Sequence, residues 1–201
     1  MNRTDIDPKE TKPKESKPKE RKSSFKTLDL VFTAVGAVLI AICSWISIPT
    51  AIPFTLQTFA VFLVLSVLGG KRGTLSILVY ILLGAVGVPV FSGFTSGIGI
   101  LLGTTGGYII GFIFMGLLYW LAVGLLSKKL WVEILALVIG MAVMYAFGTA
   151  WFMVVYTRTT EAIGVWSALS WCVFPFLIPD FVKLGLAMLL ARRIPALAKI
   201  K

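Results

Sequence analysis

Two ionisable side chains stand three residues apart inside an otherwise apolar stretch near the C-terminus, Asp180 and Lys183. Charges within hydrocarbon are costly and by default mark a binding site or an ion pair. On a helix, a spacing of three puts both on one face. Two readings follow: a salt bridge that only holds the helix in place, or a pair that meets a ligand. The ligand reading is favoured, because Pro179 suits the first turn of a helix. That start would place Asp180 in the first turn, aimed at the loops outside the bilayer.

A second candidate is the long uncharged segment 87–103, with glycines at 87, 93, 97, 99 and 103. Glycine lets the main chain approach a ligand closely, and loops of this length are usually functional or disordered. Its apolar content speaks against disorder, so it is expected to be a lid over an outward-facing pocket, the alternative being a space-filling plug. Gly103-Thr-Thr-Gly-Gly-Tyr108 follows and leads into a helix. No Gly-Lys-Ser/Thr completes a P-loop, so nucleotide binding is unsupported. The threonine hydroxyls and free N–H groups there can instead receive a polar or anionic group, or the glycines can serve close helix packing. Gln57 brings an acceptor and two donors to the mouth of a short span, unless it is simply bonded to a neighbouring helix.

Other chemistry is excluded. The chain contains no histidine, which rules out His-ligated metals and Ser-His-Asp triads. Cys43 and Cys172 lie far apart within apolar runs, without zinc-site spacing, and are expected to be packing or lipid-facing residues. An intramembrane enzyme would need a base, but Asp180 lacks a second intramembrane carboxylate to form an acid–base pair. A passive carrier for a small amphipathic acid is the other rival.

The elements that must position these residues are set by the bilayer. Of 201 residues, 58% are hydrophobic and only 14% charged, against about a quarter charged in soluble domains. Apolar segments run over 28–48, 54–68, 74–86, 108–126, 131–155 and 165–191. The predicted fold is therefore an all-α integral membrane protein of six transmembrane helices. The second and third segments, at about 13 to 15 residues, are short for a ~30 Å hydrocarbon core. The sixth is too long for one straight helix and is broken by Pro175 and Pro179. The favoured solution is a short outer-side segment over 164–174, followed by a spanning helix that starts near Pro179.

The net charge is +10, but its distribution argues for membrane topology and not for nucleic acid. Lys71 and Arg72, Lys128 and Lys129, and the basic C-terminus fall on alternate connections. By the positive-inside rule these face the cytoplasm, with both termini there. Residues 1–26 repeat a Lys-Pro-Lys-Glu unit. Such a tail is expected to be disordered and able to lie along the anionic leaflet, leaving 27–201 as the transmembrane domain. On the first span, Ala34, Ala37 and Ala41 follow a small-residue pattern that lets another helix approach closely.

With these residues in view, the chain from residue 28 onward resembles the BioY family, the biotin-binding S components of energy-coupling factor (ECF) transporters. The resemblance rests on Ile52-Pro-Phe-Thr-Leu-Gln-Thr58, Gly87-Val-Pro-Val-Phe91, Leu102-Gly-Thr-Thr-Gly-Gly-Tyr-Ile-Ile-Gly-Phe112 and Pro175-Phe-Leu-Ile-Pro-Asp-Phe-Val-Lys183. Thr104 stands where the family usually has proline. The resemblance implies a multi-pass subunit of the cell membrane with an outward-facing site for biotin and no cofactor of its own. It implies Gln57, Phe91, Thr105, Gly106, Tyr108, Asp180 and Lys183 as biotin contacts. It further implies a transmembrane coupling subunit (T component), docking partly on Ala34, Ala37 and Ala41, and two cytoplasmic ATPases that use the ATP. Chemically the set is apt: Asp180 can accept from ureido N–H groups, aromatics can cover the rings and Lys183 can neutralise a carboxylate. Which polar end of biotin meets which residue stays open at this level.

Overall fold

A computed structural model describes residues 23–49, 52–127, 129–160 and 163–194. Most of the expected N-terminal tail, 1–22, lies outside the described residues. Helix α1 (Ser23–Trp45) begins four residues before the expected domain start at 27, and no proline between Pro18 and Pro49 interrupts it. It ends earlier than expected, because Ser47–Ile48 (β1) pairs antiparallel with Phe54–Thr55 (β2) in a small hairpin.

The second and third apolar segments form one assigned helix, α2 (Gln57–Ala85), folded back on itself at Gly69. Gly69 has φ 80° and ψ 169°, a conformation that side chains other than glycine resist. The reversal brings the second half against the first: a Cβ on Gly73 would lie 3.0 Å from Leu65 Cα. Folding back explains how two short segments remain in the membrane, each shielded by its neighbour.

The glycine-rich connection contains a 3₁₀ turn over Ser92–Phe94 and the short helix α3 (Ile98–Leu102). Then come α4 (Gly106–Leu125) and α5 (Leu130–Thr159), packed along a glycine seam. A Cβ on Gly111 would meet Met144 Cγ at 2.9 Å, and one on Gly140 would meet Met115 Cγ at 2.7 Å. Small residues let helices approach closely where lipid supplies no hydrophobic driving force between them.

The last apolar segment divides as expected, into α6 (Val165–Cys172) and a spanning helix, α7 (Phe174–Arg193). The start of α7 corrects the expectation, however. It begins at Phe174, with Pro175 in the first turn where a missing N–H costs nothing, while Pro179 lies inside the helix. Asp180 consequently sits in the second turn and not the first.

Five described helices are long and apolar enough to cross a membrane, the folded α2 counting as one. Their outward faces are apolar, with Leu30, Val35, Leu121 and Leu189 among the exposed side chains. That surface suits lipid and not water. The two predicted cysteines are both buried packing residues.

Candidate functional site

Between the β1–β2 hairpin, the 87–103 loop and α4 to α7 lies a cavity of about 280 Å³. Its walls are largely apolar. Ile52 and Pro53 enter from the hairpin connection, Phe91 and Ile100 from the glycine-rich loop, Ile109 and Phe112 from α4, Met144 from α5, and Phe176 from α7. Phe91 is 1% exposed and packs edge-on against Tyr80, with ring centroids 5.6 Å apart. The loop's root is fixed to α1: Ser44 donates to the Val90 carbonyl at 2.5 Å and Trp45 Nε1 to the Pro89 carbonyl at 3.0 Å. Its far end is held by Trp151 Nε1, which donates to the Gly103 carbonyl at 3.0 Å. The predicted lid is thus an ordered wall of the pocket, anchored at both ends.

The polar floor is built around Asp180 and Lys183, which are 2% and 6% exposed. Lys183 Nζ donates to Asp180 Oδ1 at 2.8 Å, to the Thr55 carbonyl at 2.7 Å and to Thr58 Oγ1 at 3.1 Å. It also lies 4.2 Å from the Phe54 ring centroid, a cation–π contact that adds to its stabilisation. Asp180 Oδ1 accepts from Thr58 at 2.9 Å, and Oδ2 accepts from the Tyr145 hydroxyl at 2.5 Å. A buried ion pair is tolerable only when further hydrogen bonds satisfy both members, and here they do. Gln57 is 6% exposed, and its Nε2 has no hydrogen-bond partner. A buried unsatisfied amide calls for an explanation, and the cavity it lines provides one.

Six of the seven predicted contacts converge on this cavity: Gln57, Phe91, Thr105, Tyr108, Asp180 and Lys183. Tyr108 also shares a hydrogen bond with Thr149 at 3.0 Å. Gly106 does not line the cavity. It is buried against the Leu101 carbonyl, where a side chain would collide, so its place is structural. Of the three alanines expected to meet a coupling subunit, two are buried within the chain. Ala37 and Ala41 are 1% and 5% exposed, and only Ala34 faces outward. Beside them α1 packs closely on α2, for a Cβ on Gly36 would run into Ser76.

Residues not anticipated from sequence are Thr58, Tyr145 and the Thr55 carbonyl, which hold the charged pair, and Cys172, which lines the wall. Thr58 sits within a quoted motif beside Gln57, which was a usable signal. Tyr145, alone in the apolar middle of α5, offered little.

The comparisons with known proteins agree with this architecture. Residues 16–199 match the model of the BioY family. The biotin transporter BioY of Thermotoga maritima is 40% identical, over 83% of this chain and 93% of that one. The biotin transporter BioY2 of Lactococcus lactis is 37% identical, over 79% and 85%. In fold, the chain is similar to the crystal structure of an S-component for biotin from an ECF-type ABC transporter. That likeness has a TM-score of 0.74 at 24% identity and covers 86% of this chain and 93% of the other. On this evidence the chain is a multi-pass membrane protein that belongs to the BioY family.

Proposed function

We propose that this chain captures biotin as the S component of an ECF-type importer in the cell membrane, and that it performs no catalysis. The observation that carries the reading is the cavity itself. It is largely apolar, and its buried polar floor joins a held Asp180–Lys183 pair to an unsatisfied Gln57 amide. Biotin combines an apolar bicyclic body with a hydrogen-bonding ureido ring and a carboxylate tail, which suits such a site. Gln57, Phe91, Thr105, Tyr108, Asp180 and Lys183 are the contacts, with Thr58 and Tyr145 holding Asp180 in place. The pocket opens to the outside, with both termini in the cytoplasm and a basic tail preceding a six-helix domain. Release into the cell depends on a transmembrane coupling subunit and two ATPases, since this chain has no nucleotide-binding motif. On α1, the surface left for that coupling subunit is the outward face around Ala34.

The test is a calorimetric titration of the purified full chain with biotin. Tight binding at one site per chain is expected. Millimolar or absent binding would overturn the proposal.

A further inference from the structure

The end of the bundle away from the cavity carries a second recess. On the outward face of α4, Leu117, Trp120, Leu121, Gly124 and Leu125 line an open apolar groove. Residues three and four apart are neighbours on a helix surface. Gly124 is the gap in that ridge, for a Cβ built there would meet no atom within 4 Å. Helix α4 ends at Leu125, so Trp120 lies about 7.5 Å from its end at 1.5 Å per residue. That is the depth of the layer between hydrocarbon and headgroups, where tryptophans gather.

This apolar groove ends among cations. A Cβ on Gly70 would fall 2.4 Å from Trp120 Cα, so the turn between the halves of α2 presses on α4. The next residue, Lys71, is thereby set at the groove's edge. Beyond the end of α4, Lys129 is the N-cap residue of α5. Both lysines are exposed, and among the described residues neither has an ion-pair partner. Arg72 is already paired with Asp29. The acid in the first turn of α5, Glu133, lies near the buried Tyr119 and does not line the groove.

An apolar trough with two unneutralised ammonium groups at headgroup depth complements an amphiphile with a hydrocarbon chain and an anionic head. A bilayer supplies that molecule as an anionic phospholipid. The leaflet at this end, cytoplasmic in the topology proposed above, is the negatively charged one. A second copy of the chain is a poorer occupant. Inserted in the same orientation, it would bring identical lysines towards Lys71 and Lys129.

We infer that the groove on α4 binds one anionic phospholipid, with an acyl chain over Gly124 beside Trp120 and the phosphate held by Lys71 and Lys129. Lysine meets a phosphate as a point charge, so the head is read by its charge. The site is independent of what the cavity holds.

The test is native mass spectrometry of the purified full chain from detergent micelles. The micelles contain equal phosphatidylglycerol and phosphatidylcholine with the same acyl chains, and glycerol phosphate as the soluble head alone. One phosphatidylglycerol per chain should be retained, at least about tenfold over phosphatidylcholine, and glycerol phosphate should not. Lys71→Gln combined with Lys129→Gln should remove that preference. Gly124→Trp, which fills the groove, should remove the retained lipid. Arg192→Gln with Arg193→Gln, on exposed cations in the last turn of α7, should change neither. These substitutions fall on exposed side chains or in open space, so the fold is kept. Equal retention of the two lipids, or capture of glycerol phosphate alone, overturns the inference. So does retention that survives Gly124→Trp, a preference that survives the lysine pair, or an equal loss from the arginine pair. A chain dimer that forms without lipid and disappears in Gly124→Trp would give the groove to a second copy and overturn it as well.

Discussion

The molecule holds two aspartate–cation pairs in very different settings. Asp29 and Arg72 meet at 2.5 Å, joining α1 to the second half of α2, with side chains 40% and 20% exposed. The Arg72 guanidinium also lies 5.6 Å from the Phe32 ring centroid. Asp180 and Lys183 meet at 2.8 Å with side chains 3% and 8% exposed, inside a shell of hydroxyls and one main-chain carbonyl. The first pair is a clasp that solvent can replace. The second has no such substitute, so its partners must come from three elements outside α7: β2, α2 and α5. Distance alone would not distinguish the two pairs; burial does.

Breaking each pair sharpens the contrast. Removing one member of the buried pair, by Asp180→Ala or Lys183→Ala, leaves an uncompensated charge and should cost about 3–5 kcal/mol of stability, read by thermal unfolding in detergent. Biotin binding should weaken at least about tenfold, roughly 1.4 kcal/mol, in calorimetry. A variant that unfolds normally and binds normally would mean the pair is not part of the site. Tyr145→Phe removes one hydrogen bond to a carboxylate and should cost about 1.5–3 kcal/mol, divided between stability and affinity. Combined with Asp180→Ala, its effect should be less than additive, because both act on one network. The smallest effect belongs to the exposed pair: Arg72→Ala should lower stability by about 0.2–1 kcal/mol and leave biotin affinity unchanged. If Arg72→Ala matched Lys183→Ala in affinity, the contrast drawn here would fail.

The sequence made the charged pair legible because ionised groups are rare in hydrocarbon, and made the 87–103 wall legible because its length and glycines are unusual. It did not disclose how the pair is satisfied. Lys183 reaches Thr55 and Thr58 across more than 120 residues of chain, and no local pattern encodes such a contact. Pro179 misled in a different way. A proline favours a helix start, but Pro175 already takes that place, and the helix accommodates the second ring one turn later. The alanines of α1 show a third limit. Small residues at helical spacing reveal that a helix can come close, without revealing whether it belongs to the same chain or to a partner.

The buried pair also bears on how the protein responds to voltage. Its opposite charges sit 2.8 Å apart and sum to zero, so an electric field across the bilayer does almost no net work on the pocket, whatever its depth or tilt. A lone ammonium in the same place would feel about 2.3 kcal/mol for every 100 mV it traversed. Any electrical signature of uptake therefore belongs to the guest's own ionised tail.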